Sequence, residues 1–355
     1  MQIQDIYSQS DMLHLTKDDF DQIKDAVDIS TDVDSAEYLY ANLNKLLDVE
    51  LANKIIKNKA LAGQISVKWY NFVYEGTLTQ ESLKARLESE AVGYNVPLRN
   101  IDINLVENNI ATVYNEENVY IIKIILSAGK KKISDGVQIQ QIPIKTSIIV
   151  KIDIENCWVE IRAKDNLCTK VTKILETKLG IINLCDVRIL KNYHNDINAF
   201  KEDLINGFWN SYRANPSENI ELTENDQIAI VSIIRAIDEF LNGKNVDEKI
   251  KVQILANKLE NVNIDTEGMS LESLILAGID NLALKVRPES NVDLGKQTLY
   301  ALLKEEVLEN TGHITFSNVD GGPQYTLQVG KSTNSIYFMS SVTEEVIEYI
   351  REKIL

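Results

Sequence analysis

Two carboxylates and a guanidinium lie close together near the middle of the sequence. Asp153 ends one predicted strand, and Glu160 and Arg162 lie on the next strand, after a turn at Glu155–Asn156. Carboxylates on adjacent strands can hold a divalent cation such as Mg²⁺, which activates water and stabilises developing charge. Because side chains alternate along a strand, Glu160 and Arg162 share one face with Trp158. This spacing is compatible with metal-dependent hydrolysis.

The same residues resemble those of nucleases of the PD-(D/E)xK class, which hold Asp, Glu and Lys on adjacent strands. The resemblance implies that Asp153 and Glu160 bind Mg²⁺ and that Arg162 occupies the lysine position. Arginine does not release its proton at any ordinary pH, unlike the lysine of the family. A hairpin with one face in water gives the same polar alternation. We therefore keep the nuclease as the alternative, and the favoured interpretation has no catalytic residue, metal or cofactor.

Three consecutive lysines, Lys130–Lys132, form the second candidate site. They lie in SAGKKKISDG (127–136), in a chain whose formal net charge is −16. Residues 123–191 nevertheless contain 13 Lys/Arg and 7 Asp/Glu, so a basic segment lies between two acidic ones. We predict that the lysine run is a polar turn between two strands, because Gly129 and Gly136 bracket it.

The basic segment can act in three ways: by docking on an acidic part of the same chain, by binding a protein, or by contacting phosphates. The candidate binding residues, provided that they share a surface, are Lys130, Lys131, Lys132, Lys145, Lys151, Arg162 and Lys164. Trp158 is the one aromatic residue within 123–191, which leaves little for stacking on bases. We expect a protein partner or self-association, with nucleic-acid binding through 123–191 as the alternative.

Other motifs in the sequence are incomplete. GKST (330–333) lacks the glycine of a phosphate-binding loop at Tyr325, and a hairpin turn is the expected structure. The alternating acids of 28–37 lack the glycine of a calcium loop, so an acidic helix start is expected there. The spacing of Cys157, Cys168 and Cys185 matches no zinc motif, and free thiols are expected.

Helix and strand signals predict the elements that position these residues. Thr16 with Asp19 and Thr79 before QESLKARLESE are helix-start signals, and Gly180 is a helix-end signal. The segment 146–181 is predicted to be strand, turn, strand and helix. Further helices are predicted at 195–213, 224–241, 246–262, 270–279 and 293–309, with strands at LALKVRP, HITFSNV, QYTLQVG and SIYFM and a final helix at TEEVIEYIREKI.

These signals predict an α+β protein with three regions: a helical N-terminal region (1–62), a basic α+β domain (63–191) whose antiparallel sheet has helices on one face, and an acidic region of helices plus a small α+β unit (192–355). No secretory signal or membrane span is evident, so we expect a cytoplasmic protein without a membrane partner. We expect a non-catalytic binding or adaptor protein acting through protein–protein contacts. A link to a mobile element or to antiviral defence is a guess from base rates for microbial proteins of this kind.

Overall fold

The computed structural model describes residues 2–27, 36–94, 96–102, 106, 108–134, 138–216, 231–232, 235, 282–285, 307–330 and 334–355. Contacts divide the chain into one unit of Met1–Gly207 with Ile314–Leu355 and a second unit of Phe208–His313. Helices accompany a large antiparallel sheet, which confirms the predicted α+β class. The division into the regions 1–62, 63–191 and 192–355 remains a prediction.

The N-terminal part is helical, as predicted. Its elements are the 3-10 helices Ile3–Ile6 and Gln9–His14, followed by α1 (Lys17–Val27), α2 (Ala36–Ala41), α3 (Leu43–Leu47) and α4 (Glu50–Lys59). The Thr16 amide donates to Asp19 Oδ2 at 2.8 Å, and the Asp19 amide donates to Thr16 Oγ1 at 3.4 Å. This reciprocal pair is the predicted helix start, and it satisfies amides that have no partner inside α1. The acidic stretch 28–35 lies outside the described residues.

Antiparallel pairing joins the strands of the first unit. The strands along the chain are β1 (Ser66–Asn71), β2 (Asn109–Glu116), β3 (Val119–Ser134), β4 (Ile139–Asp153), β5 (Trp158–Arg162), β6 (Cys185–Asp186), β7 (Phe208–Pro216), β8 (Leu282–Lys285), β9 (Val307–Phe316), β10 (Tyr325–Gly330) and β11 (Ser335–Phe338). In the first unit their order is β2-β3-β4-β5-β1-β11-β10, and β6 also pairs with β1. The strands predicted at QYTLQVG and SIYFM are therefore confirmed.

Two helices cover one face of this sheet. They are α5 (Gln80–Glu90) and α6 (Asp165–Ile174), and a further helical turn (Leu175–Leu179) extends α6 to Gly180. Gly180 has φ +71°, the left-handed geometry of the predicted helix end. Val150 and Ile161 of the sheet are buried in one core with Val171 of α6. The Thr79 hydroxyl accepts the Ser82 amide at 3.1 Å and so caps α5, as predicted.

The N-terminal helices cover the opposite face. Ile121 of β3 and Ile149 of β4 share a core with Ile23, Leu39 and Ile56 of the helices. Burial on both faces explains why the central strands are almost continuously apolar instead of alternating. The short helix α7 (Ile197–Asp203) and the C-terminal helix α8 (Glu344–Ile354) complete the first unit, and Thr343 caps α8.

The lysine run is a strand and not a turn, which corrects the prediction. Lys130, Lys131 and Lys132 belong to β3 and pair with Pro143, Ile142 and Gln141 of β4. Gly129, with φ +102°, lies at a bulge of β3 between Ser127 and Gly129 and not in a turn. The polar composition misled the prediction because both faces of this part of the hairpin lie near water. The connection at 135–137 lies outside the described residues.

The helix predicted at 195–213 is correct in its first half and wrong in its second half. Helix α7 ends at Asp203, and a tight turn at Gly207 leads into β7. A Cβ at Gly207 would lie 2.2 Å from the Lys201 carbonyl oxygen, so the turn needs glycine. The aromatic segment FWNSY that follows favours a strand. The prediction placed too much weight on the apolar spacing of the preceding helix.

The second unit contains the antiparallel pair β7–β8, in which Tyr212 lies opposite Leu284. Strand β8 confirms the strand predicted at LALKVRP, and β9 confirms the one at HITFSNV, although it begins at Val307, inside the helix predicted at 293–309. Apart from Val231, Ser232 and Arg235, the helices predicted at 224–241, 246–262 and 270–279 lie outside the described residues.

Candidate binding surface and buried ion network

Five charged side chains form a connected ion network between the sheet and α8. Its members are Lys151 of β4, Glu160 and Arg162 of β5, and Glu344 and Arg351 of α8. Arg162 donates to Glu160 Oε1 at 2.9 Å through Nε and to Glu344 Oε2 at 2.9 Å through Nη2. Lys151 donates to Glu344 at 2.7 Å, and Arg351 donates to Glu160 at 3.1 Å. The network thus connects β4, β5 and the C-terminal helix.

The network keeps both glutamates ionised. Burial acts to raise the pKa of Glu160, but Arg162 and Arg351 outweigh it and hold the pKa below its usual value. Burial likewise opposes ionisation of Glu344, whose pKa is held well below normal by Arg162 and Lys151. The side chains of Glu160 and Arg162 are completely buried. Each charge is therefore compensated inside the protein, as buried charges require.

Glu160 has no free oxygen for a metal ion. Oε1 accepts from Arg162, while Oε2 accepts from Arg351 at 3.1 Å and from the Trp69 indole Nε1–H at 3.0 Å. Trp69 lies directly opposite Glu160 on β1, so the sheet register itself sets this contact. A carboxylate surrounded by two guanidinium groups and an indole N–H is a poor ligand for Mg²⁺.

Asp153 stabilises the turn of the hairpin. Its Oδ1 accepts the amides of Glu155 at 2.9 Å and Asn156 at 2.8 Å, and its Oδ2 accepts the Asn156 side-chain amide at 2.9 Å. Such side-chain contacts to the following backbone define Asx turns. The structure therefore brings Glu160 and Arg162 together but gives Asp153 a separate task. In the part of the chain that the structure describes, no three His, Cys, Asp or Glu side chains are grouped for metal binding.

A second buried pair uses another residue of the basic segment. Lys123 lies within the apolar run of β3 and is completely buried, where it binds Asp11 and also donates to Ser8 Oγ at 3.2 Å. Burial lowers the pKa of Lys123, against the attraction of Asp11. The sequence did contain a signal for this pair, because a single lysine interrupts the apolar run VYIIKIIL. Its partner, in the N-terminal 3-10 helix, could not be found from spacing.

The predicted binding residues fall into three groups. Lys151 and Arg162 belong to the ion network, and Arg162 has no exposed surface with which to touch a partner. Lys130, Lys131 and Lys132 are exposed, and so is Lys164 just before α6. Lys145 is half-buried and donates to the Val106 carbonyl at 3.3 Å. The seven residues therefore do not form one surface.

The exposed lysine run lies on what we call the strand arm, residues 127–134 of β3 paired with 139–145 of β4. Register divides the arm into two faces, since side chains alternate along both strands. Lys131 lies opposite Ile142 and Gly129 opposite Ile144, and these four residues share one face. Lys130 and Lys132 lie on the other face, opposite Pro143 and Gln141. Ile142 is 45% exposed and Ile144 is 39% exposed.

A groove of about 670 Å³ lies beside the Gly129 face of the arm. Its walls are Asn108, Ser127, Gly129, Lys170, Lys173, Ile174 and Thr177. Lys170 and Lys173 are exposed residues of α6, and Lys131 is exposed on the arm, two residues beyond Gly129 on the same face. Both α6 lysines were absent from the predicted binding set. Their three-residue helical spacing was the available signal, but their position next to the arm depends on the packing of α6 on the sheet.

Comparison with known proteins gives no family, since no protein-family model and no curated protein matches the chain. Among the residues that the structure describes, no helix has the length and apolar character needed to cross a bilayer.

Proposed function

We propose that this protein is a non-catalytic binding or adaptor protein whose strand arm contacts an acidic partner protein. The observation that carries the proposal is the contrast between two sets of basic residues. Lys123, Lys151 and Arg162 are neutralised by carboxylates of the same chain. Lys130–Lys132 are exposed, and none of the ion pairs among the described residues involves them. Their charge is available to another molecule.

A protein suits this surface better than a nucleic acid. Exposed isoleucines accompany the lysines on the arm, whereas nucleic-acid interfaces are more polar and strongly positive. Among the residues that the structure describes, the groove walls contain no aromatic side chain on which a base could stack.

A non-catalytic role is supported by the hydrogen bonds that both candidate carboxylates already accept within the fold. Glu160 is held by three donors and Asp153 by the turn that follows it. We place the binding in the cytoplasm, because Cys157, Cys168 and Cys185 are all free thiols, which are typical of a reducing compartment. A role in a mobile element or in antiviral defence stays a guess, with no residue that supports it.

Affinity capture from the native cell tests the proposal. The tagged protein is compared with a variant carrying Lys130→Glu, Lys131→Glu and Lys132→Glu. A control carries Lys17→Glu, Lys45→Glu and Lys54→Glu, which changes the net charge equally at three exposed lysines of the N-terminal helices. We expect the arm variant alone to lose partner proteins that the parent captures. Retention of every partner by the arm variant, or no specific partner for the parent, contradicts the proposal.

A further inference from the structure

Gly129 lines the groove beside the arm in a backbone conformation that favours glycine. Gly129 has φ +102°, and a Cβ at this position would meet nothing within 4 Å. The bulge between Ser127 and Gly129 shifts the register of β3 against β4 at this point. Bulges redirect side chains and are features that sequences specify. As a result, the end of the main sheet is bare backbone facing open space, bordered by α6.

Apolar and basic groups alternate around this open backbone. Ile142 and Ile144 extend the surface along the arm, and Lys131 lies opposite Ile142. Lys170 and Lys173 of α6 form the other side. Ile142 and Ile144 are exposed although the inner part of the same strand belongs to a core, so they form a small apolar strip on this face. A ligand that covers the isoleucines would therefore have carboxylates within reach of lysines on both sides.

We infer that this groove is the docking site for an acidic segment of a partner protein, with apolar side chains of that segment over Ile142 and Ile144 and its carboxylates facing Lys131, Lys170 and Lys173. The inference rests on the proposed function and adds the chemistry of the partner. Charge complementarity selects an acidic segment, and the isoleucines require that the segment also carry apolar groups. Lys130 and Lys132, on the other face, contribute only to long-range attraction.

Fluorescence anisotropy with defined probes tests this directly. The first probe is a fluorescein-labelled peptide of alternating glutamate and leucine, the second has serine for every leucine, and the third is a single-stranded DNA oligonucleotide of equal charge. We expect the glutamate–leucine peptide to bind about tenfold more tightly than the serine peptide, because burying leucine side chains favours association. The DNA is expected to bind more weakly than either peptide in physiological salt.

Matched variants separate the two faces of the arm. Ile142→Ser with Ile144→Ser removes the apolar strip, while Ile139→Ser changes an isoleucine that is 70% exposed at the end of the arm and lies on the other face by register. A second pair of variants compares the groove lysines with those on the other face of the arm. One variant carries Lys131→Glu and Lys173→Glu, and its control carries Lys130→Glu and Lys132→Glu. We expect the first member of each pair to weaken peptide binding about tenfold and the second to weaken it only a few-fold.

The outcomes also separate this inference from the proposed function. Equal binding of both peptides, tighter binding of DNA, or groove variants that bind like the parent overturn the groove inference. In another outcome, the variant with Lys130→Glu, Lys131→Glu and Lys132→Glu loses the native partner while the groove variants retain it. In that case the arm binds a partner and the groove does not. If concentration-dependent sedimentation shows that the parent self-associates and Ile142→Ser with Ile144→Ser abolishes this, a second copy occupies the groove and the inference is wrong.

Discussion

Arg162 of β5 donates to Glu344 at the start of α8 at 2.9 Å, although 182 residues separate the two in the sequence. The Arg162 Nη1 group also donates to the Leu61 carbonyl at 2.5 Å, just before β1. One completely buried guanidinium therefore connects the central hairpin, the segment before β1 and the C-terminal helix. Glu160 and Arg162, two of the three residues that suggested a nuclease, therefore connect distant parts of the chain.

The ion network should make Glu344 important for stability. Glu344→Gln leaves Arg162 and Lys151 without their shared carboxylate, and breaking a buried pair in this way costs about 3–5 kcal/mol of the free energy of unfolding. Glu352→Gln changes an exposed glutamate of the same helix and is the control, with an expected effect within about 0.5 kcal/mol. Urea denaturation of the three proteins measures both values. Equal stability of the two variants contradicts the role of the network.

Acid should unfold the protein through the same network. The pKa values of Glu160 and Glu344 are lower in the folded protein than the usual 4.5, so the folded state binds fewer protons than the unfolded state in acid. Their contribution is complete above pH 4.5 and is lost as the pH falls through the lower folded pKa values. We expect the thermal midpoint to be constant above this pH and to fall below it. In Glu344→Gln the fall should be shallower, and an identical slope would argue against the assignment.

The buried pair of Lys123 and Asp11 makes a different prediction. Lys123→Met removes the cation and leaves Asp11 buried without its partner, which should cost about 3–5 kcal/mol. Lys123→Met combined with Asp11→Leu removes both charges and should recover most of that loss, since a buried ion pair adds little over an apolar pair of similar size. Chemical denaturation of both variants measures the difference. A double variant as unstable as the single one would show that the charges themselves are needed.

The candidate carboxylates should not support nuclease activity. We expect no Mg²⁺-dependent cleavage of DNA or RNA by the parent protein, because Asp153 and Glu160 are both engaged within the fold. Glu160→Ala should instead lower thermal stability, since Arg162 and Arg351 lose a shared acceptor. A parent that cleaves DNA in Mg²⁺ and loses this activity in Asp153→Ala with Glu160→Ala would contradict our account.

Local signals in the sequence predicted much of the fold. The caps at Thr16 and Thr79, the glycine at Gly180 and the apolar pattern of 146–181 each depend on neighbours within a few residues, and each is found in the structure. The aromatic strand after Gly207 was missed because the apolar spacing of α7 continues into it. The lysine run was misassigned because a strand with both faces near water has the composition of a turn.

The site was less predictable, because its geometry depends on distant contacts. The alternation of side chains along β5 correctly placed Glu160 and Arg162 on one face. Their partners Glu344 and Arg351, however, come from the last helix. The contribution of Lys170 and Lys173 follows from the packing of α6 on the sheet, which residue spacing does not reveal. Charge counts found the basic segment, yet they could not distinguish exposed lysines from lysines already neutralised inside the chain.

The salt dependence of partner binding tests the central claim most directly. The purified partner obtained by capture is titrated against the parent and against Lys130→Glu with Lys131→Glu and Lys132→Glu, at several salt concentrations. The account predicts that affinity of the parent falls as salt rises, because exposed charge pairs are screened. It also predicts that the variant binds at least about tenfold more weakly at low salt and changes little with salt. Equal affinities and equal salt dependence in the two proteins would show that association occurs elsewhere on the molecule.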